Sequence, residues 1–308
     1  MKNPNVKNLS ASVHGRLLAL AQKRGRPFNE LLQYYAIERF LYRLSQSKYA
    51  QKFVLKGALL FQAWGLTQYR PTRDIDLLGY TANEVEGLVQ IVRNICTLEV
   101  EPDGLVFDAD SVRGERITED ADYQGVRVRF QAGLGNARLH LQMDVGFADV
   151  VSPAPTSLKY PILLSMPAPR LRGYPPETVV AEKLQAMAYL GIVNSRMKDF
   201  YDLWVLASRF SFKGSSLQKA VSLTFENRGT PIFAEIPALK EPFAVEKQAQ
   251  WQAFLSRNTL KDAPRKLVEA TNFLHEFLAP VLAATEGHQP FTAIWKAGGP
   301  WRKAPARR

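Results

Sequence analysis

The stretch FVLKGALLFQAWGLTQYRPTRDIDLLGY, residues 53–80, decides how the rest of the chain is read. Its first residues, Phe53 to Leu55, form a short β-type run; Gly57 then opens a helical stretch that closes at Trp64 and Gly65. Pro71 punctuates the chain again, and RDIDLLGY returns to a strand. Successive strand side chains point to opposite faces, so Ile75 and Leu77 share one face while Asp74 and Asp76 share the other. Two carboxylates held so close repel unless something neutralises them. Hard oxygen ligands in small number suit Mg²⁺, which proteins usually hold with one or two carboxylates plus substrate phosphates. Asp-x-Asp is also common at strand ends, and TRDID reads as well as an arginine-paired surface strand. Arg73 has the same two readings, binding a phosphate or neutralising the carboxylates.

A second pair of strands adds weight to the first reading. VRVRF (126–130) and RLHLQMDVG (138–146) are joined through QAGLGNA, a glycine-containing hairpin connection. In the second of them Leu139, Leu141, Met143 and Val145 alternate with His140, Gln142 and Asp144, which puts Asp144 on the polar face. A third carboxylate on a neighbouring strand completes a two-metal arrangement, one ion activating an attacking hydroxyl and the other holding the triphosphate and leaving group. Gly57 lies at a strand-to-helix turn, where bare backbone can approach phosphate and helix N–H groups face an anion. Three elements in order, Leu55-Lys56-Gly57-Ala58, Asp74-Ile75-Asp76-Leu77 and Met143-Asp144-Val145, favour nucleotide chemistry over a surface strand. The four histidines show no metal-ligand spacing.

The flanks are basic. Of the net charge of +11, residues 1–56 carry +9 and residues 296–308 carry +5, which leaves the body of the chain at −3. Basic ends suit a polyanion such as RNA; the plainer reading is solubility, with WRKAPARR a disordered tail. Ser12 to Lys23 and FNELLQYYAIERFLYRLSQS (28–47) read as two amphipathic helices ahead of the sheet, and Thr81 with Glu84 as a capping box for a helix that follows. The lone Cys96 makes no internal disulfide, the start has no apolar leader segment, and no window approaches a membrane span, so a soluble cytoplasmic protein is expected.

From Ser152 to Pro176 the composition turns to proline, serine and small residues, which reads as the crossing to a second lobe. The domains expected are 1–165, helices plus an α/β core with a mixed sheet, and 166–308, a helical lobe with a basic tail. In the latter, PPETVVAEKLQAMAYLG and NSRMKDFYDLWVLASRF read as helices. Lys183 on the first could meet triphosphate charge, or be a solvated lysine beside Glu182; Asp199 and Asp202 share a face of the second, as an ordinary surface pair would.

The ordered glycine and carboxylate motifs resemble the polymerase-β-type nucleotidyltransferase superfamily. More narrowly, GRPFNELLQYYAIERFLYRLSQS, FVLKGALLF, RPTRDIDLLGY, ETVVAEKLQAM and NSRMKDFYDLW resemble the AbiEii/AbiGii toxin family, from about Ser12 to Trp204. The resemblance implies a bilobed, Mg²⁺-dependent nucleotidyltransferase toxin of a toxin–antitoxin or phage-defence system. Such an enzyme transfers a nucleotide from an NTP to RNA, in related toxins the 3′ end of tRNA, under control of a cognate antitoxin. It further implies metal-site roles for Asp74 and Asp76, with Asp144 following the wider superfamily pattern. Lys56, Gly57, Ala58, Arg73 and Lys183 fall to nucleotide binding, and Asp199 to the catalytic set beside Lys183. The active site is then expected in the cleft between the lobes. One departure stands out: where this family has Gly-Gly-Thr, Gly57 is followed by Ala58, which lacks a hydroxyl. Two alternatives stay open, a protein side chain as acceptor and a module that binds nucleotide or RNA without turnover.

Overall fold

A computed structural model describes residues 8–66, 70–119 and 123–304. It divides into two compact units, residues 1–148 with 156–173, and residues 149–155 with 174–308.

The first unit is a mixed α/β fold. It begins with α1 (Leu9–Arg24), stopped by Gly25 in the left-handed conformation, and α2 (Phe28–Gln46). Then come β1 (Phe53–Lys56), α3 (Leu59–Ala63), β2 (Asp74–Gly79), α4 (Val85–Cys96), β3 (Leu105–Glu119), β4 (Tyr123–Leu134) and β5 (Ala137–Gly146). The strands β6 (Thr156–Lys159) and β7 (Arg170–Gly173) complete a seven-stranded sheet in the order β3-β4-β5-β2-β1-β7-β6. The pairs β2–β5 and β1–β7 are parallel and the rest antiparallel. The expected mixed sheet behind N-terminal helices is therefore present.

Alternation gives the sheet two unlike faces. Val126, Val128 and Phe130 of β4 are in register with Val145, Met143 and Leu141 of β5, and Met143 and Val145 with Ile75 and Leu77 of β2; all are buried. Phe40 of α2 meets Phe130 with ring centroids 4.6 Å apart. At Gly114 of β3 an added Cβ would lie 2.7 Å from Val85 and Val89 of α4, so a glycine lets that helix seat. The opposite face carries the polar alternates.

The structure corrects three expectations here. The helix after β2 starts at Val85 with Glu84 as its N-cap and no side-chain cap bond, so the Thr81–Glu84 capping box does not form. The proline-rich stretch is more than a crossing: β6 and β7 lie inside it, with Leu55 of β1 beside Gly173 of β7, so the expected boundary after residue 165 falls within the first unit. The helical preface also spends part of its charge internally. Arg43 is buried and bonded to both carboxylate oxygens of Asp103, at 2.5 and 3.2 Å. Arg39, also buried, donates to the Pro167 carbonyl at 2.6 Å and lies 3.1 Å from Glu38, whose carboxylate accepts from the Leu163 N–H at 2.7 Å. Lys2 and Lys7 lie outside the described residues.

The second unit is mainly helical: α5 (Pro176–Leu190), α6 (Met197–Arg209), α7 (Gly214–Asn227), α8 (Glu241–Arg257) and α9 (Leu267–Glu286). Its core holds Phe200, Phe225, Trp251, Phe277 and Trp295. A small antiparallel sheet joins β8 (Phe212–Lys213), β9 (Ile294–Trp295) and β10 (Trp301–Arg302). Trp295 donates to the Ala207 carbonyl at 2.7 Å, and Trp301 stacks on Phe277 while donating to its carbonyl at 2.8 Å. The start of WRKAPARR is thus built into the fold, contrary to the reading of a disordered tail; residues 305–308 lie outside the described residues. No helix among the described residues is long and apolar enough to cross a membrane.

Candidate active site

Strand register assembles the carboxylates. In-register neighbours share a face of a sheet, and one row runs across five adjacent strands: Glu115 of β3 beside Arg127 of β4, Arg127 beside Asp144 of β5, Asp144 beside Asp76 of β2, and Asp76 beside Lys56 of β1. The signs read minus, plus, minus, minus, plus. The next row on the same face holds Arg113, Arg129, Gln142 and Asp74. Asp74 and Asp76 are both half-buried, and Asp144 is only 6% exposed.

Gly57 follows β1 at φ +69°, a backbone that side chains disfavour. A Cβ built there would lie 1.9 Å from Oδ2 of Asp76. The glycine therefore makes room for the Asp76 carboxylate itself, where the sequence suggested room for phosphate. Ala58 is buried as the N-cap of α3, and Arg73 is exposed just before β2.

Asp144 is gripped from the side away from Asp76. Arg127 donates from Nε to Oδ1 and from Nη2 to Oδ2, both at 2.8 Å, a two-pronged pairing that fixes the carboxylate plane. Gln142 donates to the same Oδ2 at 3.2 Å. The hydrogen bonds to Asp144, with the charges of Asp144, Asp74 and Glu115, hold the Arg127 proton more tightly than usual against the effect of burial. Sequence reasoning missed Arg127 and Gln142. Among the described residues no three His, Cys, Asp or Glu side chains are placed to share one ion. The fit to a divalent cation rests instead on Asp74 and Asp76: two hard oxygen donors on one strand face, one of them in a cradle that a single Cβ would fill, which suits an ion completed by phosphate oxygens.

Lys183 and Asp199 meet in the second unit. The Lys183 ammonium lies 2.7 Å from Asp199 and 2.7 Å from Asp202, and Arg196 lies 2.7 Å from the other Asp199 oxygen. The two acids are 1% and 0% exposed and Lys183 15%. Burial alone would raise the Asp199 pKa, but Lys183 and Arg196 outweigh it and hold the carboxyl below its usual range. Asp202, read from the sequence as half of a surface pair, is thus a full member of the cluster. A second cluster, unsuspected from sequence, joins Arg228 to Asp149 at 3.1 Å and to the Gln185 side-chain carbonyl at 2.8 Å, with Tyr174 donating to Asp149 at 3.3 Å.

A family model described as "Nucleotidyl transferase AbiEii toxin, Type IV TA system" matches residues 39–273. Two solved structures from Helicobacter pylori are similar at 15% identity. One, titled as a candidate nucleotidyltransferase, is covered over 98% of its length by 85% of this chain with a TM-score of 0.46. The other, JHP933, is covered over 94% of its length by 84% of this chain with a TM-score of 0.48. No curated protein sequence matches the chain.

Proposed function

The chain belongs to the AbiEii nucleotidyl transferase toxin family of type IV toxin–antitoxin systems, and from that premise we propose that it moves a nucleoside monophosphate from an NTP to an RNA 3′ end, with tRNA the favoured acceptor. The observation that carries the reading is the row of carboxylates aligned by register on the polar face of the sheet, Asp76 beside Asp144 with Asp74 one step along β2.

Asp74 and Asp76 would hold Mg²⁺. When bound, the ion supplies charge neutralisation for the triphosphate and a lowered pKa for the attacking hydroxyl. Asp76 is kept in position by the absence of a side chain at Gly57. Asp144, in register with Asp76, is suited to orient the acceptor hydroxyl, and Lys56 and Arg73 to meet phosphate charge as the chain enters and leaves the row. The family resemblance assigns Lys183 to nucleotide binding and Asp199 to the catalytic set, and their 2.7 Å pairing is what supports giving them a joint role. With no hydroxyl at residue 58, the phosphate contact made by Gly-Gly-Thr elsewhere in the family falls to backbone N–H groups. A cognate antitoxin completes the system.

The test is incubation with labelled NTPs, Mg²⁺ and total tRNA. Label on RNA that disappears with Asp76→Ala supports the proposal; no label on RNA from either protein sinks it. Label on a polypeptide selects a protein acceptor, and Mg·NTP binding without pyrophosphate release selects a binding module.

A further inference from the structure

The positive charge near the start of the chain is not all buried. Lys48 and Lys52 are exposed, and their ammonium groups lie 5.4 and 5.9 Å from the ring centre of Tyr49. Tyr80, just past β2, donates its N–H to the Lys52 carbonyl at 2.8 Å, and it is 51% exposed. The Arg172 guanidinium of β7 lies 5.5 Å from the Tyr80 ring centre and is anchored on the Gln51 carbonyl. Arg170 shares a strand face with Arg172, and Lys159 of β6 is in register with Arg170; both are exposed. Among the described residues no carboxylate pairs with any of these cations, and neither residues 47–56 nor residues 152–173 include an Asp or Glu. Uncompensated cations suit phosphates, and a half-exposed ring with a guanidinium against it suits a nucleobase. An acidic peptide or an anionic lipid would use the cations and have no need of the ring.

We propose that Tyr80 and Arg172, with Lys48, Lys52, Arg170 and Lys159 around them, form a surface for single-stranded RNA that is separate from the row of acids. An unpaired base stacks on Tyr80, and the cations take the phosphates on either side of it. Duplex RNA keeps its bases stacked on one another and offers Tyr80 no open face. Tyr80 comes four residues after Asp76, about 13 Å away at the rise of a strand, and Leu78 between them is buried. The surface therefore holds the body of an acceptor and leaves its reacting end to the acids. Its role in transfer rests on the RNA acceptor proposed above; the binding itself does not.

The test follows the fluorescence anisotropy of a labelled, unstructured single-stranded RNA, without NTP or metal, across a range of salt. Tyr80→Ala is expected to weaken binding about tenfold, the loss of one stacked base, and Tyr80→Phe to stay within about twofold of wild type because the ring is kept. Lys52→Gln and Arg170→Gln should each weaken binding and lower the slope of log Kd against log salt by about 0.7, one phosphate contact on a single strand. Lys261→Gln, at an exposed lysine of the second unit, should change neither. The same sequence presented as a duplex should bind more weakly and be indifferent to Tyr80→Ala. A wild type that does not bind the single strand overturns the inference. So does binding that falls in Lys52→Gln and Arg170→Gln yet is unchanged in Tyr80→Ala, which would mark a general polyanion surface open to an acidic protein or a membrane. The labelled-NTP assay fails separately. RNA binding that needs Tyr80, with no label on RNA, keeps the surface and sinks the proposed reaction; label on RNA with binding that ignores Tyr80 does the reverse.

Discussion

Each unit places buried or half-buried acids beside basic side chains, and the two arrangements differ in kind. In the second unit Lys183 sits between Asp199 and Asp202 at 2.7 Å from each, with Arg196 closing the other side of Asp199. The acids are reached by cations on the elements around them, and the cluster reads as charge closed on itself. In the first unit two acids are set side by side, Asp76 next to Asp144, with Lys56 beyond the one and Arg127, itself beside Glu115, beyond the other. A sheet can impose such a like-charge contact because strand register fixes which side chains are neighbours. Helix packing, with freer rotation of α5 and α6 side chains, settles into alternating signs. The first arrangement sets like charges side by side, and the second alternates them.

The largest test of that contrast is chemical. Asp76→Ala removes one half of the like-charge contact and, under the proposed mechanism, a donor to the cation. Nucleotide transfer should fall by at least ~100-fold, the usual scale for losing a group that stabilises the transition state, with the thermal midpoint read alongside to separate lost chemistry from lost folding. A falling midpoint together with full activity would break the assignment of function to the row.

Lys183→Ala probes the other side. It leaves Asp199 and Asp202 buried without their shared ammonium, and breaking a buried pair from one side costs about 3–5 kcal/mol. Urea unfolding of the purified protein should register that loss. An unchanged unfolding midpoint with abolished transfer would instead mean that the cluster serves the substrate first, as the family resemblance suggests for Lys183 and Asp199.

Much of this was legible in the sequence, and the gaps have physical causes. Asp74 and Asp76 announced themselves because a period of two in DIDL admits one placement, both acids on the face away from Ile75 and Leu77. Asp144 followed from the alternation of RLHLQMDVG. Arg127 was equally present in VRVRF, and fixing the turn at Gly135-Asn136 would have set it opposite Asp144; what hid it was that hairpin register has to be chosen before cross-strand partners exist. The short strands β6 and β7 carried no periodic signal in a proline-rich stretch, since each is four residues long and the pair is tied to the sheet only through β1, far away in the chain. The buried charges of α2 misled for a related reason. Arg39 and Arg43 look like solvent-facing helix residues until Pro167 and Asp103 are brought against them.

Gly57→Ala should have a smaller effect than either charge change, yet it joins backbone to site. The substitution strains a φ of +69° and thrusts a methyl to within 1.9 Å of the Asp76 carboxylate's present position. A loss of stability of about 1–3 kcal/mol, typical of a strained backbone position, should accompany weaker Mn²⁺ binding. Lost stability with Mn²⁺ binding intact would mean that Asp76 can move aside without consequence, and that the cradle is an accident of packing.

The last test uses pH, where the two units should pull in opposite directions. Glu38 of α2 is buried, and burial outweighs Arg39 and the Leu163 N–H to raise its carboxyl to about 7. A carboxyl that binds its proton more tightly folded than unfolded contributes stability that is complete below the unfolded value and is lost as pH rises through about 7. Spread over that interval the effect is at most on the order of 3 kcal/mol, and the neighbouring Arg39 reduces it. Asp199 has the opposite sign: its folded carboxyl lies below the usual range, so its contribution is present above that range and disappears as pH falls through the folded value. Amide hydrogen exchange, read separately for peptides of each unit, should therefore show α2 loosening between about pH 5 and 8, the window bounded by the ordinary glutamate value and the raised one, and α6 loosening only in acid. Glu38→Gln should flatten the first trend and leave the second untouched. If α2 protection is flat across neutral pH in the wild-type protein, Glu38 is ionised in the fold and its bond to Leu163, together with Arg39, is strong enough to overcome burial.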